Sequence, residues 1–87
     1  MMDAVFSDNA EKELDDADRE LRGIFLKHAE KLREMPPRRH LRFGMPFNVE
    51  SVTKQARLVY QIEGNKLYVL HCFKTHKEYE RWYSSFK

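Results

Sequence analysis

The 87-residue sequence predicts an α+β domain, in which a helical hairpin packs on a twisted antiparallel β-sheet of about four strands and a short helix closes the chain. Three observations carry this expectation. Apolar residues recur every three or four positions through the first third. After "PPRRH" the rhythm changes to short runs rich in β-branched and aromatic residues. The last stretch, "FKTHKEYERWYSSFK", returns to helical spacing behind a capping signal.

Taken in order, Ala4 to Phe6 reads as a short first strand. Ser7 or Asp8 offers an N-cap, and Ala10, Leu14, Ala17, Leu21, Ile24, Phe25, Ala29 and Leu32 follow at helical spacing. The segment is long for one helix, and "LDDAD" puts cap-type residues in its middle. Two helices joined by a tight turn near Asp16–Asp18 are therefore expected. A single continuous helix stays open, because neither Pro nor Gly marks the turn. Gly23 lowers helix propensity by about 1 kcal/mol relative to Ala, or else permits close packing. Pro36 and Pro37 end the helical half.

Strand-like runs follow at Leu41–Phe43, Phe47–Val52, Ala56–Ile62 and Lys66–Phe73. Gly64-Asn65 fits a two-residue hairpin turn. Such a hairpin pairs Gln61 with Tyr68, Val59 with Leu70 and Arg57 with Cys72, and puts all six on one face. The other face, with Leu58, Tyr60, Ile62, Leu67, Val69, His71 and Phe73, is more apolar and should receive the helices. His71 then reads as a buried, hydrogen-bonded histidine. Arg57 sits mid-sheet on the opposite face, where it either snorkels to water or serves a function.

Thr75-His76-Lys77-Glu78 has the form of a capping box, so the last helix should run from about His76 to Phe86. Tyr79, Trp82, Tyr83 and Phe86 form one stripe, of which Trp82 and Phe86 read as packing. His76 and Lys77 occupy the first turn, where the helix dipole disfavours cations and where a phosphate would be welcome.

Composition bounds the function. Hydrophobic residues at 41% and charged residues at 34% suit a folded domain spanning residues 1–87. The apolar runs are too short to span a membrane, and the first residues hold no signal-peptide pattern, so a cytoplasmic protein is expected. The single Cys72 excludes an internal disulfide, and with the four histidines it forms no zinc-like spacing; neither metal nor cofactor is implied. The net charge of +2 conceals an asymmetry: residues 1–34 carry six Lys/Arg against ten Asp/Glu, and residues 35–87 carry ten against four. The basic half points to an anionic partner, whether nucleic acid or an acidic protein.

The stretch "ARLVYQIEGNKLYVLHCFKTHKEYERWY" resembles the C-terminal half of the RelE/ParE superfamily of toxins from toxin–antitoxin pairs. Arg57 begins the "RLVYQ" strand, Lys77 holds the basic position before the last segment, and Tyr83 lies six residues on. The N-terminal half agrees, through "FSDNAEKEL", a second helix and "FGMP" at Phe43–Pro46. The resemblance implies a RelE-like fold and, for RelE-type members, ribosome-dependent cleavage of mRNA by attack of the 2′-hydroxyl on the adjacent phosphorus. It assigns catalysis to Arg57, His76, Lys77 and Tyr83, and RNA contacts to Lys54, Arg42, Tyr79 and Arg81. Arg57 would stabilise phosphorane charge through its fork, and histidine is the side-chain type that titrates near neutrality. Tyr83 would stack on a base or assist proton transfer. A cognate antitoxin and mRNA on the ribosome are the implied partners, with no membrane role and with toxin–antitoxin hetero-oligomers in view. The chain departs from the RelE-type pattern at Glu50 and Ser51, where lysines are usual, and at Lys77, where arginine is more frequent. "THKEY" is similar to members that use a C-terminal histidine. A ParE-like, gyrase-binding toxin without catalysis and a non-toxic binding homologue are the alternatives.

Overall fold

The computed structural model of the protein describes residues 2–34 and 47–85. The expected strand at Leu41–Phe43, the stretch Phe43–Pro46, Pro36, Pro37, Arg42 and Phe86 lie outside the described residues. The elements are β1 (Asp3–Phe6), α1 (Asp8–Asp16), α2 (Arg19–Glu34), β2 (Asn48–Ser51), β3 (Arg57–Glu63), β4 (Lys66–Phe73) and α3 (His76–Ser84).

Local chemistry explains the helical boundaries. The Ser7 hydroxyl accepts the Ala10 N–H at 3.0 Å and donates to the Leu70 carbonyl at 2.7 Å, so the α1 cap also ties the helix to β4. α1 ends where Ala17 turns extended, with ψ of 150°. Asp18 then caps α2, its carboxylate accepting the Leu21 N–H at 2.7 Å. The break expected at Asp16–Asp18 is therefore present. Asp15 and Asp16 put negative charge at the C-terminus of α1, the unfavourable end. Arg22 of α2 supplies the compensating cation: its Nε donates to Leu14 O at 2.9 Å, and its Nη2 donates to Ala17 O at 3.1 Å and Asp15 O at 3.3 Å.

The four strands lie in the order β1-β4-β3-β2. β2, β3 and β4 are antiparallel neighbours, but β1 runs parallel to β4, so the sheet is mixed where the sequence suggested a wholly antiparallel one. Hairpin connections impose antiparallel pairing on β3 and β4. β1 is separated from β4 by the rest of the chain and is free of that constraint. Gly64, with φ of 60°, opens the β3–β4 turn as expected.

The hairpin register holds from Glu63↔Lys66 through Gln61↔Tyr68 to Tyr60↔Val69, and then slips. A β-bulge leaves Leu70 as the extra residue, so Val59 pairs with His71, Leu58 with Cys72 and Arg57 with Phe73. The pairs expected between Val59 and Leu70 and between Arg57 and Cys72 are thus corrected. The slip also exchanges faces. Cys72 joins the cluster under the helical hairpin, with Phe25, Leu58, Tyr60, Leu67 and Val69. Phe73 moves to the opposite face and clusters there with Phe47, Val59 and Tyr79, against which Leu70, Trp82 and Tyr83 pack. His71 follows Phe73, its ring stacked on Phe73 at 4.7 Å and tilted against Trp82 at 5.0 Å. The sheet is covered by α1 and α2 on one side and by α3 on part of the other. Gly23 is exposed, with nothing within 4 Å of where a Cβ would stand, so it serves no close packing. Among the described residues no helix is long and apolar enough to cross a membrane.

Candidate functional site

The register brings Ser51, Arg57 and Phe73 side by side at one end of the sheet. The turn from Val52 to Ala56 enters β3 there, and α3 begins there three residues beyond Phe73. Lys54, Arg57, Lys74, His76 and Lys77 therefore belong to one end of the molecule.

Arg57 is half-buried, and its Nη1 donates to the carbonyls of Ala56 at 3.0 Å, Thr53 at 3.2 Å and Lys54 at 3.2 Å. One corner of the guanidinium is thus fixed against the turn. Nε and Nη2 make no hydrogen bond among the described residues, which leaves an edge of the fork for an anion. Lys54 stands exposed in the same turn, and Lys77 is exposed in the first turn of α3. Thr75 caps that helix by accepting the Glu78 N–H at 3.1 Å, and Glu78 reaches back to the Lys74 N–H at 3.1 Å. His76 Nε2 lies 2.9 Å from Glu80 Oε1, one turn on, in an exposed pair.

Glu50 stands in β2, where the resemblance led one to expect a lysine. It pairs with Leu58 in register, on the face opposite Arg57, and its carboxylate meets His28 Nδ1 of α2 at 2.9 Å. Its charge is directed into the helix–sheet interface. Burial, with the Glu50 charge adding to it, pushes the nearby Tyr60 hydroxyl up to about 12.

Of the remaining sequence-predicted residues, Tyr79 is only 6% exposed and lies in the core with Phe73, which moves it from the surface role first assigned. Trp82 is half-buried against Phe47, Phe73 and His71. Tyr83 is half-buried and meets Phe47 edge-on at 6.4 Å. It lies two turns along α3 from His76, about 10 Å at 1.5 Å per residue. Arg81 is exposed beside a cleft of about 370 Å³ that Glu13, Asp16, Lys74, Glu78 and Trp82 also line.

Two further residues carry little signal in the sequence. Glu13 reaches from α1 to the free edge of β4, where its two oxygens meet the Cys72 N–H at 2.7 Å and His71 Nδ1 at 2.9 Å. Burial, helped by that carboxylate, raises the Cys72 thiol to about 12, which keeps it protonated and inert. Thr53 is the other: its Oγ1 accepts the N–H of Ala56 at 2.9 Å and of Gln55 at 3.2 Å, which shapes the turn that holds Arg57. The Thr-x-Gln-Ala stretch is the only trace such a turn leaves in sequence.

No protein-family model matches the sequence, and no curated protein matches it either. Solved structures do match in fold. The intact E. coli RelBE toxin–antitoxin complex contains a chain 22% identical with a TM-score of 0.74, covering 86% of this chain and 98% of that one. The isolated E. coli RelE toxin is 20% identical with a TM-score of 0.74 and covers 100% of both chains. A YoeB/ParE toxin from Agrobacterium tumefaciens is 17% identical with a TM-score of 0.71, covering 83% of this chain and 96% of that one. The chain thus carries the fold of the RelE, YoeB and ParE-type toxins.

Proposed function

We propose that this protein is the toxin of a toxin–antitoxin pair and an endoribonuclease that cleaves mRNA on the ribosome. The observation that carries the reading is the set of cations at one end of the sheet, with Arg57 anchored among Lys54, Lys74 and Lys77 while Glu50 is turned to the other face. The fold shared with RelE and YoeB supports it.

In the reaction, the ribose 2′-oxygen forms a bond to phosphorus and the bond from phosphorus to the 5′-oxygen breaks. The products are a 2′,3′-cyclic phosphate and a free 5′-hydroxyl. The 2′-hydroxyl proton leaves to a base, and the 5′-oxygen takes up a proton from an acid. Arg57 offers the free edge of its guanidinium to the phosphorane oxygens, where charge develops. Lys54 and Lys77 add positive potential. His76 is the proton carrier of the group, and Tyr83 stacks on a neighbouring base. Arg81 and, beyond the described residues, Arg42 hold the RNA backbone. Tyr79 acts from the core, by supporting the face on which RNA lies. The partner is an antitoxin, in keeping with the RelBE complex and a Staphylococcus aureus YoeB–YefM complex of the same fold. A ribosomal target places the protein in the cytoplasm.

The test is inducible expression with mapping of mRNA 5′ ends. Growth arrest with new 5′-hydroxyl ends supports the proposal, and Arg57→Lys should lower cleavage roughly 100-fold, the loss typical of one removed charge-stabilising contact. Arrest without new ends points to a non-catalytic target such as gyrase. Absence of both leaves a binding homologue.

A further inference from the structure

The structure assigns Thr53 as the residue that positions Arg57. The inference rests on the catalytic reading of Arg57 and goes one step behind it. A guanidinium at the start of a strand, half open to water, is ordinarily free to swing. Here the five residues before it are folded into a cradle. The Val52 N–H donates to Ala56 O at 3.1 Å and closes the turn. Inside it, Thr53 Oγ1 accepts both the Gln55 and the Ala56 N–H groups, which aims the intervening carbonyls to one side. Three carbonyls of the turn, from Thr53, Lys54 and Ala56, converge on Arg57 Nη1 within 3.2 Å. The two hydrogens of Nη1 are shared among these acceptors, so this nitrogen is spoken for by the protein. Among the described residues, Nε and Nη2 are what remains to meet an anion.

The turn is anchored from below, since Val52 and Ala56 are buried in the core under the helical hairpin. Thr53 therefore links a buried base to the guanidinium, and the same turn carries Lys54. Loss of the hydroxyl leaves Val52 and Ala56 in place, with Ala56 O still held by the Val52 N–H, but frees the Lys54–Gln55 peptide, whose carbonyl meets Nη1, to rotate. Thr53 acts through Arg57, by way of the turn that holds it, so it is a positioning residue.

The experiment compares wild type, Thr53→Val, which keeps shape and removes the hydroxyl, and Thr53→Ser, which keeps the hydroxyl. Two readouts are taken, after thermal melting has shown each protein folded. The first is RNA cleavage. Thr53→Val should lower kcat roughly ten- to a hundredfold, as expected for a displaced catalytic group, with KM little changed, and Thr53→Ser should restore it. The second is nitrogen-15 NMR of the Arg57 side chain, independent of activity. Slow rotation of Nη1 in wild type and Thr53→Ser, with fast rotation in Thr53→Val, supports the cradle. Fast rotation already in wild type overturns it, and needs no variant to fold. Unchanged rotation in Thr53→Val also overturns it, and so does unchanged cleavage where the wild type cleaves. A wild type that cleaves no RNA yet shows the Thr53-dependent rotation sinks the endoribonuclease reading and leaves the cradle standing.

Discussion

At the scale of single residues, Arg57 has two attachments, and they separate in mutants. A purely exposed arginine changes stability by no more than about 0.5 kcal/mol when removed. The carbonyl contacts of Nη1 raise that figure: a charged hydrogen bond contributes about 1.5–3 kcal/mol, discounted here to about 1 because the group is partly in water. Arg57→Ala should therefore abolish growth inhibition and also lower the melting temperature by about 4–8 °C. Full toxicity at equal expression would remove Arg57 from the site. A second residue-scale expectation concerns alkali. Tyr60 is raised from 10.0 to about 12, and Cys72 from 9.0 to about 12. In the unfolded chain both ionise earlier than in the folded one. The folded protein therefore holds more protons between pH 9 and 12, and stability falls as pH rises through that window. Denaturant melts at pH 8, 9, 10 and 11 should show the decline, and Tyr60→Phe should flatten its upper part. A stability that is level to pH 11 in the parent protein would contradict the burial of both groups.

Among the elements, α2 gives the sharpest expectation. Gly23 occupies an exposed interior position with empty space around its would-be Cβ. Gly23→Ala should raise unfolding free energy by about 1 kcal/mol, through helix propensity and the narrower unfolded ensemble. Urea melts measure it directly, and a loss of stability would show that α2 is not helical at this point. Much at this scale was legible in the sequence: the Ser7 and Thr75 caps, the break after Asp16 and the Gly64 turn all follow from local hydrogen-bond chemistry. The bulge at Leu70 was not. A bulge need not use glycine, and no residue near it departs from strand composition, so the sequence implies unbroken alternation. That one slip reversed the faces of His71 and Cys72 and hid the role of Glu13, which caps the edge amide of Cys72. The parallel β1–β4 pair was equally invisible, because nothing local distinguishes a parallel edge strand from an antiparallel one. Arg57 kept its predicted face because the residues of β3 are counted from an undisturbed strand. The meaning of Glu50 needed the fold, since only the position of His28 on α2 shows where its charge goes.

Over the whole molecule, charge is divided unevenly along the chain. Residues 1–34, the acidic part, carry a net −4 and place their helices on one face of the sheet, whereas residues 35–87 carry a net +6. Net charge alone would predict only weak attraction to a polyanion. The arrangement predicts more, since Lys54, Arg57, Lys74 and Lys77 belong to one end of the sheet, where the strand register and the start of α3 bring them together. An RNA strand bound there releases counterions in proportion to the phosphates neutralised, with a slope of log K against log salt near −0.7 per contact for single strands. Four such cations give a slope of about −2.8. Lys77→Ala, at an exposed position with little effect on stability, should reduce its magnitude by about 0.7. Lys27→Ala, on the exposed surface of α2, should leave it unchanged. Fluorescence anisotropy of a short RNA carrying 2′-methoxy groups, which cannot attack phosphorus, measures all three proteins between about 30 and 300 mM salt, where the Debye length falls from about 18 to about 6 Å. Equal changes in slope at Lys77 and Lys27 would mean that attraction comes from net charge spread over the surface, and would remove the physical basis for placing RNA at the end of the sheet.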